Sequence, residues 1–163
     1  MALRVGLSRV VFVLLLISFA AMATSDQCEY TVKVKTGNVP NAGTDATISL
    51  KLMSAAGNSF TIADLKSWGT NGAQYNYFER GQTDEFKGKS VCLDVCAITV
   101  FSNGLGNDPS WYLESVDVTI GGANAKEISF LVNRWLSQEP PNQLLATVNS
   151  CTSFNLKPTL SCV

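Results

Sequence analysis

The residues best equipped for chemistry here are oxygen donors. Their densest stretch is Tyr75-Asn76-Tyr77-Phe78-Glu79-Arg80-Gly81, which sets an amide and a carboxylate three residues apart among aromatic rings. Gly43-Thr44-Asp45 upstream and Asn107-Asp108-Pro109 downstream add two more carboxylates. Donors of this kind suit a hard metal cation. They also suit plain scaffolding, with Asp45 capping its turn, Glu79 pairing with a nearby cation such as Arg80, and Asp108 opening the loop ahead of Pro109. No histidine occurs anywhere in the chain. That removes Ser-His-Asp and Cys-His catalysis in their ordinary forms, together with any histidine-held metal. No nucleophile motif stands out either, and the chain is expected not to be an enzyme.

The donors must be carried by a domain that starts after a leader. Arg4 and Arg9 precede an uncharged apolar run from Val10 to Ala21, and Ala21-Met22-Ala23 fits a small-x-small cleavage site. Residues 1–23 are therefore expected to be a signal peptide. The apolar run is short for a bilayer span, and no later segment is long and apolar enough to be a transmembrane helix. The remainder, about 140 residues, is one domain by length. The whole chain has 12 Lys+Arg and 13 Asp+Glu. Without Arg4 and Arg9 the balance is 10 against 13, a net charge of −3. No basic stretch survives, so neither nucleic acid nor a polybasic route to anionic lipid is expected.

Alternation of apolar and polar residues marks the supporting elements as strands. It runs over Glu29 to Thr36, Ala46 to Met53, Phe60 to Ile62, Tyr75 to Arg80 with Phe86 beyond, Val95 to Ser102, Trp111 to Ile120, Ile128 to Leu136 and Leu144 to Val148. The fifth is apolar on both faces and is expected to be central. Glycine-, asparagine- and proline-rich loops separate the runs, and no amphipathic helix interrupts them. The spacing predicts an all-β fold, with a sandwich of two antiparallel sheets ahead of a barrel. An up-and-down strand order would bring the 37–45, 66–75 and 103–110 loops to one pole. Trp111, Tyr112 and Trp135 fall in strand patterns and are expected in the core.

With these elements in place, an ordered set of motifs resembles the PLAT/LH2 domain, the β-sandwich found at the ends of lipoxygenases and some lipases. The motifs are Cys-Glu-Tyr-Thr-Val-Lys-Val-Lys-Thr-Gly from Cys28, Ala-Gly-Thr-Asp at 42–45, Tyr-Asn-Tyr-Phe-Glu-Arg-Gly at 75–81, Asn-Asp-Pro-Ser-Trp-Tyr-Leu at 107–113, and Arg134-Trp135-Leu136. They run from about Cys28 to Cys151. The resemblance implies two four-stranded antiparallel sheets over residues 24–151, followed by a tail at 152–163. A leader, a lone domain and extra cysteines resemble the single-domain plant stress proteins near the embryo-specific protein 3 group.

The resemblance also implies a site. Carried over by motif, the family's calcium ligands fall on the Gly43 and Thr44 backbone, Asp45, Asn76, Glu79 and Asp108. Tyr77 stands where some calcium-binding members carry an aspartate, and the loop before Trp111 is one residue longer here. Three carboxylates and an amide suit a weak extracellular site, on the order of 10⁻⁴ to 10⁻³ M. Trp68, in its glycine-rich loop, is the expected lipid-contacting side chain, since tryptophan favours membrane interfaces; otherwise it folds back as a lid. Val39 and Leu105 add apolar tips.

Cys28, Cys92, Cys96, Cys151 and Cys162 follow a leader and read as a disulfide set with one thiol over. The strand order gathers the first four at the pole opposite the loops. Cys28 with Cys92 or Cys96, and Cys151 with Cys162 or Cys92, are the pairings considered, with a bridge expected to staple the sheets together. The expected function is a non-enzymatic module that binds a membrane or lipid surface, with weak calcium as its one candidate cofactor, in plant stress response or seed development. The alternative is a protein-interaction module independent of both lipid and calcium. The expected location is the secretory pathway, either secreted or in the ER lumen.

Overall fold

The computed structural model describes residues 26–72, 74–121 and 125–151. The expected leader, the tail and Cys162 lie outside the described residues. Eight strands form two four-stranded antiparallel sheets. One has the order β4-β1-β6-β7, the other β3-β2-β5-β8. The strands are β1 Gln27–Thr36, β2 Ile48–Ser54, β3 Ser59–Ile62, β4 Thr83–Val91, β5 Val95–Ser102, β6 Trp111–Ile120, β7 Lys126–Leu136 and β8 Leu145–Asn149.

The expected all-β sandwich is therefore the fold, with two corrections. The chain crosses repeatedly between the sheets and does not run up and down within each. And Tyr75 to Arg80 is not a strand: the fourth strand starts only at Thr83. The stretch 75–82 is a loop because its inward residues cannot share one face. Tyr77 and Phe78 are consecutive and both buried, whereas a strand sends neighbours to opposite faces.

Elsewhere the period-two pattern acts as expected. Tyr30, Val32, Val34 and Thr36 of β1 point inward and are fully buried, while Lys33 and Lys35 face solvent. β5 lies between β2 and β8 and is central in its sheet, although its outer face stays open, with Phe101 43% exposed. Trp111 is the largest side chain of the core, and its indole N–H donates to Thr36 Oγ1 at 2.9 Å. Tyr112 and Trp135 are not core. They pair across β6 and β7 and are half-buried, ring edge to ring face at 5.5 Å.

The two flanks of the sandwich differ. On the β3/β4 flank a short 3-10 helix, Leu65–Trp68, is capped by Asp64, whose carboxylate accepts the Lys66 N–H at 2.9 Å. The following residues dock on the free edge of β4: Gly69 bridges to Phe86, and the Thr70 N–H donates to the Glu85 carbonyl. Such cover blunts an exposed strand edge. On the other flank β7 and β8 end the two sheets without a further described strand beside them. There the β6/β7 pairing shifts register near Leu113, opposite a left-handed Asn133 (φ 48°).

Two disulfides close the pole opposite the 37–45 and 103–110 loops. Cys28 joins Cys92, and Cys96 joins Cys151. The second pairing is not among those considered from the sequence. Neither bridge staples one sheet to the other. Cys28–Cys92 ties the ends of β1 and β4, neighbours in one sheet, and Cys96–Cys151 ties β5 to the chain leaving β8 in the other.

Candidate functional site

At the loop pole three segments converge: the 37–46 loop after β1, the 75–82 loop before β4 and the 103–110 loop between β5 and β6. Backbone and hydroxyl bonds lock them together. The Thr44 hydroxyl donates to the Asp108 carbonyl at 2.8 Å and accepts the Ala46 N–H at 3.1 Å. The Asp45 N–H also donates to the Asp108 carbonyl, and the Thr44 N–H donates to the Phe78 carbonyl, each at 3.2 Å.

The result is a cleft of about 150 Å³ lined by Asn41, Gly43, Thr44, Asp45, Glu79, Arg80 and Asp108. The fold thus brings together five of the six residues implied as calcium ligands. The sixth, Asn76, stands beside them, its amide donating to Glu79 Oε1. Gly43 matters here because a Cβ would stand 3.3 Å from Glu79 Oε2 and 3.2 Å from the Phe78 carbonyl.

Convergence is not coordination. Among the described residues no three acidic or sulfur side chains come together as a metal would require. The oxygens that meet most closely are already engaged: the Thr44 hydroxyl and the carbonyls of Phe78 and Asp108 all serve loop-to-loop bonds. Arg80 brings a cation into the cleft wall, its Nε donating to Asn38 Oδ1 at 2.9 Å. In this arrangement the residues do not form the oxygen shell that calcium takes. Tyr77 is scaffold: it is buried, and its hydroxyl accepts from the Asn71 N–H and donates to the Asn71 carbonyl.

The expected lipid contacts separate. Trp68 is not at the pole. It lies half-buried on the β3/β4 flank, with Phe60 at 6.3 Å between centroids and its indole pressed on the bare backbone of Gly88. It is a lid over that flank rather than a protruding tip. Val39 is half-buried and Leu105 is 63% exposed.

Asp84 is the residue most important to the pole that the motifs left out. It is buried, accepts the Phe78 N–H at 2.7 Å and the Tyr75 hydroxyl at 3.0 Å, and anchors the 75–82 loop. Burial pushes its carboxyl above the ordinary carboxylate range, against the opposing pull of the Phe78 and Tyr75 bonds and the Lys66 charge. Its sequence signal was phase. In β4, Asp84 shares the inward face with Phe86, where a lone carboxylate needs partners.

Among known proteins, a sequence model of the PLAT/LH2 domain matches residues 30–148. PLAT domain-containing protein 1 of Arabidopsis thaliana is 36% identical over 149 residues, covering 86% of this chain and 82% of that protein. PLAT domain-containing protein 2 of the same plant is 38% identical over 147 residues, covering 85% and 80%. In solved structures the fold matches a coral 8R-lipoxygenase, described as calcium-activated through a C2-like domain. The TM-score is 0.52 at 29% identity, covering 66% of this chain and 15% of that one. A calcium-dependent 11R-lipoxygenase matches with the same TM-score at 27% identity, covering 73% and 17%. This chain thus spans about a sixth of those lipoxygenases.

Proposed function

The chain belongs to the PLAT/LH2 domain family, and from that premise we propose that it is a non-enzymatic binding module whose loop pole docks on a lipid membrane surface. One observation carries the proposal: Leu105 is held out into solvent between two glycines. Gly104 (φ 64°) and Gly106 (φ 112°) both take left-handed backbone, and the Leu105 N–H donates to Asn103 Oδ1 at 3.1 Å. The leucine is 63% exposed at the tip of the loop. At the same end of the sandwich, Phe101 and Leu145 face each other across β5 and β8, 43% and 44% exposed. Apolar surface of this kind has no use within the domain and gains on leaving water.

Docking through Leu105 needs no metal. A calcium-assisted form is supported by the three carboxylates lining the cleft and by the calcium dependence named for the two lipoxygenase relatives. The alternative, a protein-interaction module, is favoured by Leu131, 68% exposed on the open β7 edge. The expected leader and the disulfides support a secreted or ER-lumenal protein, since such bridges persist in oxidising compartments. A setting in plant stress or seed development is part of the same proposal.

Co-sedimentation of the purified protein with phosphatidylcholine vesicles, in calcium or in chelator, tests it. Binding that falls about tenfold in Leu105→Asp, the order expected for losing one buried leucine, supports the membrane. Binding only in calcium, lost in Asp45→Ala, supports the assisted form. No pelleting in either condition leaves protein interaction in its place.

A further inference from the structure

A second site lies on the upper outer face of the β4-β1-β6-β7 sheet, built around Trp135. Tyr112 lies on the bare backbone of Gly37, which has no Cβ to obstruct the ring. Trp135 stands beside it on β7, edge to face. Two clefts, of about 300 and 500 Å³, share Trp135 and Asn142 in their walls. Asn41 and Glu139 line the smaller cleft and Gln143 the larger.

The rim is polar and open to solvent. Ser110 and Ser137 bond to each other at 3.2 Å, and the Ser137 hydroxyl accepts the Glu139 N–H. The side chains of Asn41, Glu139, Asn142 and Gln143 are exposed, so their donors and acceptors are open to solvent or to a ligand. Three amides present donors and acceptors side by side, as a pair of neighbouring hydroxyls requires.

We infer that Trp135 and its amide rim form a binding site for a neutral pyranose. The C–H face of the sugar would lie against the indole, and its hydroxyls would bond Asn41, Asn142 and Glu139. The two clefts together hold one carboxylate, Glu139, and one cation, Arg134, so the rim as a whole carries no net charge to select an ionic ligand. Open, shallow clefts meeting at one aromatic ring suit a chain of sugars better than an enclosed small molecule. The same chemistry can be presented by a polysaccharide or by a glycolipid headgroup. This site is separate from Leu105 and does not depend on membrane docking there.

Affinity electrophoresis of the full protein through gels holding laminarin, galactomannan or xyloglucan tests one source. Sedimentation with phosphatidylcholine vesicles, with and without digalactosyldiacylglycerol, tests the other. Retardation in at least one gel, or pelleting that depends on the galactolipid, is expected. Either should weaken about tenfold in Trp135→Ala and remain unchanged in Lys51→Ala, on the outer face of the opposite sheet. If Trp135→Ala fails to melt as a folded protein, the rim variant Glu139→Ala with Asn142→Ala takes its place, with the same loss expected. Absence of any retardation and of any galactolipid dependence overturns the inference. So does binding that survives the substitution.

Discussion

Asp84 holds Phe78 in a conformation that a bulky side chain rarely adopts. The buried carboxylate accepts the Phe78 N–H at 2.7 Å while Phe78 sits at φ 67°. The ring is fully buried between Phe86 and Trp111, at 5.6 and 5.3 Å between centroids. A charge-assisted hydrogen bond and aromatic burial together offset the backbone strain. The Phe78 carbonyl then accepts the Thr44 N–H, so one carboxylate positions both the turn that carries Glu79 and the wall opposite it.

Asp84→Asn should lower stability by about 1–3 kcal/mol, because one amide cannot accept from both Phe78 and Tyr75 without facing one of them with its own N–H groups. The pH dependence has a definite sign. Burial raises the folded carboxyl above its ordinary value, so the folded state binds this proton more tightly than the unfolded chain does. That contribution is complete below the unfolded value and is lost as pH rises through the raised one. Denaturant midpoints across the acid range should therefore show the gap between wild type and variant narrowing as pH rises. A gap that widens would refute the assignment.

Trp68→Ala should destabilise the fold by about 2–4 kcal/mol, the range for removing a packed aromatic side chain, and leave vesicle binding unchanged. Gly88→Ala should act alike, since its Cβ would enter the indole ring. Thermal melts and the vesicle assay together decide this. Loss of vesicle binding in a fully folded Trp68→Ala protein would return Trp68 to the membrane.

Non-reducing peptide mapping should recover Cys28 linked to Cys92 and Cys96 linked to Cys151. Removing either pair as a double serine variant should cost about 2–5 kcal/mol. A peptide joining Cys28 to Cys96 would contradict the topology at the closed pole.

Thr44→Val keeps the shape of the side chain and removes the hydroxyl that ties two loops. The loss should be about 1–3 kcal/mol, felt locally. Hydrogen exchange at the Asp45 and Ala46 amides should speed up relative to the β1 amides, because both lean on this junction. Unchanged exchange there would mean that the cleft is held by something else.

Most strands were legible because burial on one face writes a period of two into the chain, as in Tyr30, Val32 and Val34. The 75–82 stretch misled for the same reason: its aromatics mimic alternation until Phe78 turns left-handed. Trp135 was placed in the core because a strand pattern does not say whether an outward tryptophan is covered.

Composition and order alone determined the sandwich, the family pattern and the histidine-free chemistry. Those properties are carried by local periodicity and by motifs contiguous in the chain. Three things were decided only in three dimensions: the loop-to-loop bonds that lock the candidate ligand loops together, the flank position of Trp68 and the pairing of Cys96 with Cys151. Each joins residues far apart in sequence, as Thr44 and Asp108 are across 64 positions. Such contacts depend on which strands become neighbours, and that order follows from how the two sheets bury their faces against each other.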